Sequence, residues 1–315
     1  MKTRVFFGSK DFIPPKNPVI TMGVFDGVHQ GHRELFKRAL KQAKEIRGTA
    51  VAYTFSPHPV KVLVPQACPP MLNTLEQKIE LIGKQGIHSI VVEKFNKPFS
   101  QQTPEIFFKK IIIDRLRAHE IFVGYNFTFG VRRSGNVEHM EAFGREAGIK
   151  VNIVSPYLCE ETLVSSSHIR QLLTHANLTE AEKLLDRPYF MDGLVIQGRG
   201  VGGKILGIHT ANLKPENDII LPTGVYITYT QVGNKRYQSV TNIGRNPTFG
   251  LGKLSIETHI LNLRRSILHQ KIRICFLKKI REEIAFASPE ALMNQIRHDI
   301  RITKQYLKRK MPKHS

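Results

Sequence analysis

Apolar and polar positions follow one rhythm in the first half of this chain and another in the second. PVITMG (18–23) is a short apolar run ending in glycine, and Leu35, Ala39, Leu40, Ala43 and Ile46 then recur at helical spacing. TAVAYTF (49–55) predicts a second strand. Thr74 with Gln77 three residues on has the form of a capping box and predicts a helix through about Ile82. SIVVEKF (89–95), a helix near 104–117, EIFVG (120–124), a helix near 137–147 and KVNIVS (150–155) continue the alternation. Apolar strands separated by helices predict a parallel sheet covered on both faces.

From about Gly193 the rhythm changes to strand-like runs separated by turns: GLVIQ, GVYITYTQV, KRYQSVTNI, KLSIETHIL and KIRICFL. Gly233-Asn234 sits between two of them, as a hairpin turn would. The pattern predicts an antiparallel structure, either a barrel or a sandwich. Ser288 is a good N-cap with Pro289 at the first helical position, so a last helix is expected to run to about Leu307. The change of rhythm sets the domain boundary near Asp186-Arg187-Pro188, giving domains 1–186 and 187–315.

Length supports that division, because 315 residues exceed the usual size of one hydrophobic core. With 41% hydrophobic and 23% charged residues the composition is that of a folded globular chain. No run of about 18 apolar residues occurs, and MKTRVFFGSKDFIPP lacks the apolar core of a secretory signal. A soluble, cytoplasmic protein that keeps its N-terminus and binds no membrane is therefore expected. Cys68, Cys159 and Cys275 lie far apart, which points to free thiols rather than a disulfide framework or a zinc site. Asn126-Phe127-Thr128 matches a glycosylation sequon but has no secretory signal to go with it. The formal charge of +21 favours anionic partners without choosing among nucleotides, phosphorylated substrates, nucleic acid or an anionic surface. The chain has no recognisable nucleic-acid-reading motif, no Trp and no interleaved basic and aromatic stripe, so no specific nucleic-acid partner is expected.

The sharpest candidate for chemistry is GVFDGVHQGH, from Gly23 to His32, which leaves the first predicted strand and enters the first helix. Parallel α/β sheets bind ligands at that edge. Its glycines let backbone approach a phosphate, and the helix start directs N–H groups at anionic oxygens. His29 and His32 could meet one phosphate as donors; two histidines three apart could also bind a metal or merely cap the helix. A second glycine-rich stretch has Gly198, Gly200 and Gly203 spelling GxGxxG after a strand, with Asp218 twenty residues after Gly198. A dinucleotide-binding reading is disfavoured there. The following KILGIHTANLKP contains Gly207, Thr210, Asn212 and Pro215, and the strands beyond it look antiparallel. A P-loop fails as well, because Ile205 stands where a magnesium-binding hydroxyl is needed.

These motifs carry a resemblance. GVFDGVHQGH looks like the HxGH signature of the nucleotidyltransferase superfamily. YTFSPHP (53–59), VGYNFTFG (123–130) and SSSHIRQLL (165–173) follow in the order and spacing of the bacterial bifunctional riboflavin kinase/FAD synthetase family. In the second half GRGVGGKILG (198–207), HTAN (209–212), GVY (224–226), NIGRNPTFG (242–250) and SIETHIL (255–261) are similar to that family's kinase module. The resemblance spans essentially the whole chain. It implies a Rossmann-like α/β nucleotidyltransferase domain, then a mainly antiparallel β-barrel riboflavin kinase domain with a C-terminal helix. The implied activities are ATP-dependent phosphorylation of riboflavin to FMN and adenylylation of FMN to FAD with release of pyrophosphate, with Mg²⁺ or a similar divalent cation.

Residue roles follow from the same resemblance. His29 and His32 would stabilise the α-phosphate of ATP during attack by the FMN phosphate. Gly23, Phe25, Asp26 and Gly31 would surround the nucleotide, and Ser166 and Arg170 would hold the departing pyrophosphate. Phe55, Pro57, His58 and Pro59 would help shape the nucleotide or flavin pocket, and Asn126 and Phe129 would line the flavin side. In the kinase half Gly198, Gly200, Gly203 and Gly207 would lie over the ATP phosphates. Thr210 and Asn212 would bind the metal and phosphate oxygens, Glu257 would be the general base, and Arg281 would contact flavin or nucleotide. Without the resemblance, Glu257 reads as an ordinary strand residue, Arg170 and Arg281 as surface charges, and the 55–59 segment as a rigid turn. The chain departs from the family at Asn126 (usually Asp), Ser167 (usually Thr), Asp186 (usually Gly), His209 (usually Pro) and Asn262 (commonly Asp). Two rivals follow from the same residues: a nucleotidyltransferase with another phosphorylated acceptor, and a basic binding protein that kept the fold without the chemistry.

Overall fold

The structure is a computed structural model that describes residues 3–198, 210–218, 220–245 and 254–310. It forms two compact units, Met1–Ser166 and Ser167–Ser315.

The first unit is a six-stranded parallel sheet. Its strands are β1 (Arg4–Phe7), β2 (Pro18–Met22), β3 (Thr49–Ser56), β4 (Ser89–Lys94), β5 (Glu120–Gly124) and β6 (Lys150–Val154), in the order β1-β4-β3-β2-β5-β6. The strands predicted from apolar runs are present; β1 was not predicted, because RVFF is short and half-exposed at an edge. Alternate residues of the central strands face opposite helical layers. Ile20, Met22, Val51, Tyr53, Val91, Ile121 and Val123 join Phe107, Phe108, Ile111, Ile112 and Met140 in one core. On helix α1 (Gln30–Glu45) the buried residues are Leu35, Phe36, Ala39 and Ala43, the stripe expected from its spacing.

After α2 (Pro59–Leu63) comes α3 (Leu75–Gly83), which opens with the capping box in full: Thr74 accepts from Gln77 N, and the Gln77 side chain accepts from Thr74 N. A short α4 (Lys97–Ser100) follows. The single helix expected over 104–117 is a four-residue α5 (Pro104–Phe107) that widens into a π-helix over Phe108–Arg115, with Leu116 N donating to Ile111 O. Helix α6 (Val137–Ala147) matches its predicted range. The strand order turns back at β2, whose neighbours are β3 on one side and β5 on the other. A ligand crevice belongs at the carboxyl ends of those strands.

A small hairpin, β7 (Leu158–Cys159) with β8 (Thr162–Leu163), precedes α7 (Ser166–Thr174) and α8 (Leu178–Leu185). The barrel strands are β9 (Tyr189–Ile196), β10 (Ala211–Pro215), β11 (Gly224–Val232), β12 (Lys235–Arg245), β13 (Leu254–Ile260) and β14 (Lys271–Arg281), and a last helix spans Pro289–Lys310. The sequence left barrel or sandwich open. The strands close as β10-β13-β12-β11-β14-β9, with β9 pairing β10, so this is a barrel. Strand β10 was missed, because ANLKP offers little apolar alternation and reads as a breaker.

Five fully buried hydroxyls form a ladder through this unit. Thr230 bonds Ser239 at 2.8 Å, Ser239 bonds Thr228 at 2.8 Å, Thr228 bonds Thr241 at 2.8 Å, and Thr241 donates to Thr258 at 2.9 Å. Each hydroxyl satisfies another, so burying them carries little penalty. Residues of the opposite alternation, Ile227, Tyr229 and Leu277, pack with Leu307, Ile302 and Tyr306 of the last helix. That helix is therefore docked on the outer wall of the barrel.

Candidate functional site

Immediately beyond β2, Gly23 N donates to Tyr53 O at 3.2 Å, continuing the ladder by one residue. A side-chain carbon at Gly23 would lie 2.6 Å from the Phe25 ring, so the loop closes over a position that only glycine fits. Phe25 (φ 53°) and Val28 (φ 42°) hold left-handed backbone while buried to 1% exposure. Such conformations cost about 1–3 kcal/mol each and persist only where surrounding contacts enforce them. Phe25 packs edge-on to His32 at 5.3 Å and to Phe36 at 4.8 Å.

His29 is the N-cap of α1 with extended backbone, yet its side chain makes no capping hydrogen bond. Its ring lies stacked on His32, with centroids 3.6 Å apart and planes at 18°. The imidazoles therefore form one layer over the helix start, and side-chain capping is not the role of His29. Gly31 lies in the same first turn, against the His29 ring and Tyr157. Gln30, between the histidines, accepts from Tyr157 Oη at 2.8 Å, and its amide points at Cys159 Sγ, 3.8 Å away. The entry to the small hairpin thus meets the loop. The layer lies at the start of a helix, whose N–H groups and dipole favour an anion.

Asp26, expected at the nucleotide, is 6% exposed, and its carboxylate meets the segment just ahead of α3. Its carboxylate accepts from Leu72 N at 3.0 Å and Asn73 N at 3.4 Å. The Asp26 carbonyl accepts from Ser166 Oγ at 2.8 Å, which ties the start of α7 to the loop. Arg170 lies one turn further along that helix, beyond the point where the two units divide. Lys78 of α3 was not foreseen. Its ammonium donates to Val24 O at 3.1 Å, Thr54 Oγ1 at 3.2 Å and Phe55 O at 2.9 Å. Burial pushes its pKa down to about 8, with Asp26 pulling it back up. A signal was present: Lys78 is spaced with Leu75, Leu81 and Ile82 on the apolar face of its helix.

The flanking motif residues divide. Phe55 is buried against Tyr53, Phe95 and Phe99, and Phe129 against Phe107 and Phe127, so both rings belong to the core wall behind the crevice. Pro57 follows a cis peptide bond. His58 caps α2 by accepting from Val60 N at 3.2 Å, and Pro59 is the first residue of that helix. Asn126 is exposed beyond the end of β5.

In the second unit, strand register brings distant motifs together. Asn212 of β10 is paired with Glu257 of β13, and Glu257 is paired on its other side with Asn242 of β12. Ile256 and Thr258 are buried, so Glu257 and His259 project outward. There a cavity of about 570 Å³, within the range usual for small-molecule sites, is lined by Thr210, Asn242, Glu257, His259 and Arg281. Its far wall is Phe286, Leu292 and Ile296, the last two from the C-terminal helix. Asn242 gives its amide to Glu283 at 3.2 Å, while its buried Oδ1 has no hydrogen-bond partner. Gly198 lies against the Asn212 side chain, where a Cβ would collide with the amide. Gly200, Gly203 and Gly207 fall outside the described residues, as do His209 and residues 246–250. Antiparallel pairing of β9 with β10 and β14 excludes a dinucleotide-binding βαβ unit at Gly198.

Arg281 reaches the cavity but is also held. Its guanidinium donates to Asp299 through Nη2 at 2.8 Å and Nε at 3.1 Å, and Asp299 is only 2% exposed. Gln295 donates a further bond to Asp299 at 2.9 Å. Asp299 was missed although it falls in the apolar series Leu292, Ile296, Thr303, Leu307.

Comparison with known proteins agrees with this division of labour. The model of the FAD synthetase family matches residues 13–168, and that of the riboflavin kinase family matches residues 185–307. A bifunctional riboflavin kinase/FMN adenylyltransferase of Buchnera aphidicola subsp. Schizaphis graminum is 35% identical over 294 residues, 92% of this chain and 94% of the relative. The protein of the same description from Escherichia coli K12 is 29% identical, covering 91% of each chain. Among solved structures, one described as a macrolide-efflux protein from Streptococcus pneumoniae superposes with a TM-score of 0.85 at 27% identity, over 96% of this chain and 99% of that one. No helix among the described residues is long and apolar enough to cross a membrane.

Proposed function

The chain belongs to the bifunctional riboflavin kinase/FMN adenylyltransferase family, and from that premise we propose which of its residues perform each step. The observation that carries the assignment is that each unit has a centre of its own built from motif residues. The histidine layer lies at the strand-order switch of the first unit, and Glu257 faces a cavity in the second.

Riboflavin phosphorylation belongs to the second unit. Glu257 accepts the proton of the ribityl 5′-hydroxyl as its oxygen attacks the γ-phosphorus of ATP; the bond to the β-bridging oxygen breaks and ADP leaves. Base catalysis of this kind contributes about 10²–10⁴-fold, the remainder being positioning and charge stabilisation. The apolar wall of Phe286, Leu292 and Ile296 suits a flavin ring, and Arg281, fixed by Asp299, borders it. The donors around Glu257 are hard oxygens: Thr210, Asn212 and the unpartnered Asn242 Oδ1. That set fits Mg²⁺, which prefers carboxylate, carbonyl and phosphate oxygens. Thr210 and Asn212 would hold the ion, and when bound it would neutralise charge on the nucleotide phosphates.

Adenylyl transfer belongs to the first unit. An FMN phosphate oxygen attacks the α-phosphorus of ATP, and pyrophosphate leaves. No protein nucleophile is needed, so the task is to hold charge and geometry. His29 and His32 donate to the α-phosphate from one layer, assisted by the N–H groups of the first turn of α1. Ser166, anchored on the loop, faces the pyrophosphate side; Arg170 is assigned to the same group by the motif it shares. Asn126 lies on the flavin side, while Phe55, Phe129 and His58 shape the wall behind it. A cytoplasmic setting suits both reactions, since both draw on ATP.

Chromatography of flavins after incubation with riboflavin, ATP and Mg²⁺ tests the assignment. FMN followed by FAD is the expected result. FAD from supplied FMN but no product from riboflavin would remove the kinase role of the Glu257 cavity. Silence with both flavins in a folded sample would refute both sites.

A further inference from the structure

The loop that leaves the carboxyl end of β2 lies at the edge of the first-unit site, and one buried side chain ties it to the last residues of the adjacent strand β3. Lys78 Nζ donates to Val24 O in that loop and to Phe55 O and Thr54 Oγ1 at the end of β3. Thr54 Oγ1 donates in turn to Val24 O at 3.1 Å, so that carbonyl is held from two directions. Four residues on from Val24 the backbone is in the left-handed region at Val28, and His29 follows at once. The fixing is reciprocal: Asp26 of the loop accepts from Leu72 N and Asn73 N, just ahead of the helix that carries Lys78.

We propose that Lys78 is a positioning residue for adenylyl transfer, locking the Gly23–His32 loop to the end of β3 so that the stacked histidines meet the α-phosphate in register. Three acceptors surround an ammonium that has three protons to give, so its hydrogen-bonding capacity is matched. A methionine would fill the same apolar face of α3 without the penalty of burying a charge. The strained Phe25 and Val28 need an external restraint, and the Val24 carbonyl is where Lys78 supplies it. A displacement of about 1 Å at a reacting group lowers a rate by about 10²-fold.

This inference rests on the assignment of the histidine layer to adenylyl transfer, and the test separates the two. Lys78→Met is made in the full chain, and FMN formation from riboflavin and FAD formation from supplied FMN are measured on one preparation. The expected result is a fall of about 10²-fold in kcat for FAD formation, with the KM for ATP within about threefold and FMN formation unchanged. FAD formation within about threefold of wild type overturns the proposal. Equal loss of both activities with a lowered melting temperature assigns Lys78 a structural role and also overturns it. Where Lys78→Met fails to fold, Thr54→Val removes the second donor to Val24 with little change of shape. It is expected to lower FAD formation about tenfold, and no change refutes the clasp. His32→Ala is assayed in parallel: if it keeps FAD formation, the site assignment itself fails. If it abolishes FAD formation while Lys78→Met does not, only the role of Lys78 fails.

Discussion

The buried ammonium of Lys78 makes stability and adenylyl transfer respond to alkaline pH in opposite directions. Desolvation lowers its pKa from 10.5 to about 8 in the folded chain. Below pH 8 both folded and unfolded chains carry the proton, and the penalty for burying the charge is present in full. Between about pH 8 and 10.5 the folded chain has released the proton while the unfolded chain still binds it. The unfolded state then holds more protons, so stability rises with pH. At 1.36 kcal/mol per pH unit the full relief is about 3 kcal/mol, most of which arrives by pH 10.

Over the same range the neutral amine has two protons for three acceptors, so the clasp loosens and FAD formation falls. Asp26 is the charged group facing Lys78, and the β3 residues that accept from it, Thr54 and Phe55, do not titrate. Lys78→Met lacks the titration, and other alkaline groups are common to both proteins, so the difference between them isolates this lysine. Urea unfolding followed by circular dichroism at pH 7 and pH 10 measures it, using the transition that the substitution displaces. The gap should move by about 2 to 3 kcal/mol in favour of wild type. A gap that stays constant between the two pH values would refute the linkage.

Three further substitutions separate the sites. His32→Ala is expected to abolish FAD formation and spare FMN formation; equal loss of both in a folded variant would contradict two independent centres. Glu257→Gln should lower riboflavin phosphorylation by about 10²–10⁴-fold while FAD is still made from supplied FMN, and an unaffected kinase rate removes Glu257 from the mechanism. Asp299→Ala leaves the Arg281 guanidinium beside an empty site. With Arg281 20% exposed, about 2 kcal/mol of stability should be lost rather than the larger penalty of a fully buried pair. The same variant should lose FMN formation as the helix wall of the cavity loosens; an unchanged melting curve would show that the pair does not dock the helix.

The elements themselves were largely legible, because they are local. The capping box at Thr74, the helix stripe of α1, the Gly233-Asn234 turn and the Ser288-Pro289 helix start each depend on neighbours within a few residues. β1 and β10 were not legible, since four or five mixed residues become strands only when partners such as β4 and β13 supply the hydrogen bonds. Motif residues were identified in sequence, yet not their directions. The Asp26 carboxylate is held by Leu72 N and Asn73 N ahead of α3, His58 caps a helix, and Arg281 divides its guanidinium between the cavity rim and Asp299. Lys78 and Asp299 show the converse: a charge on an apolar helix face is visible as an anomaly, but its partner is not.

What the chain determined alone was the two-part architecture, the strand and helix rhythm and the order of the chemical motifs, all set by periodicity and short-range spacing. Only tertiary structure decided that the barrel closes, that Asn212, Glu257 and Asn242 share one register, and that His29 lies flat on His32. Those outcomes depend on contacts between residues far apart in sequence, where a one-residue slip in a strand would turn Glu257 into the barrel and bring Thr258 out in its place.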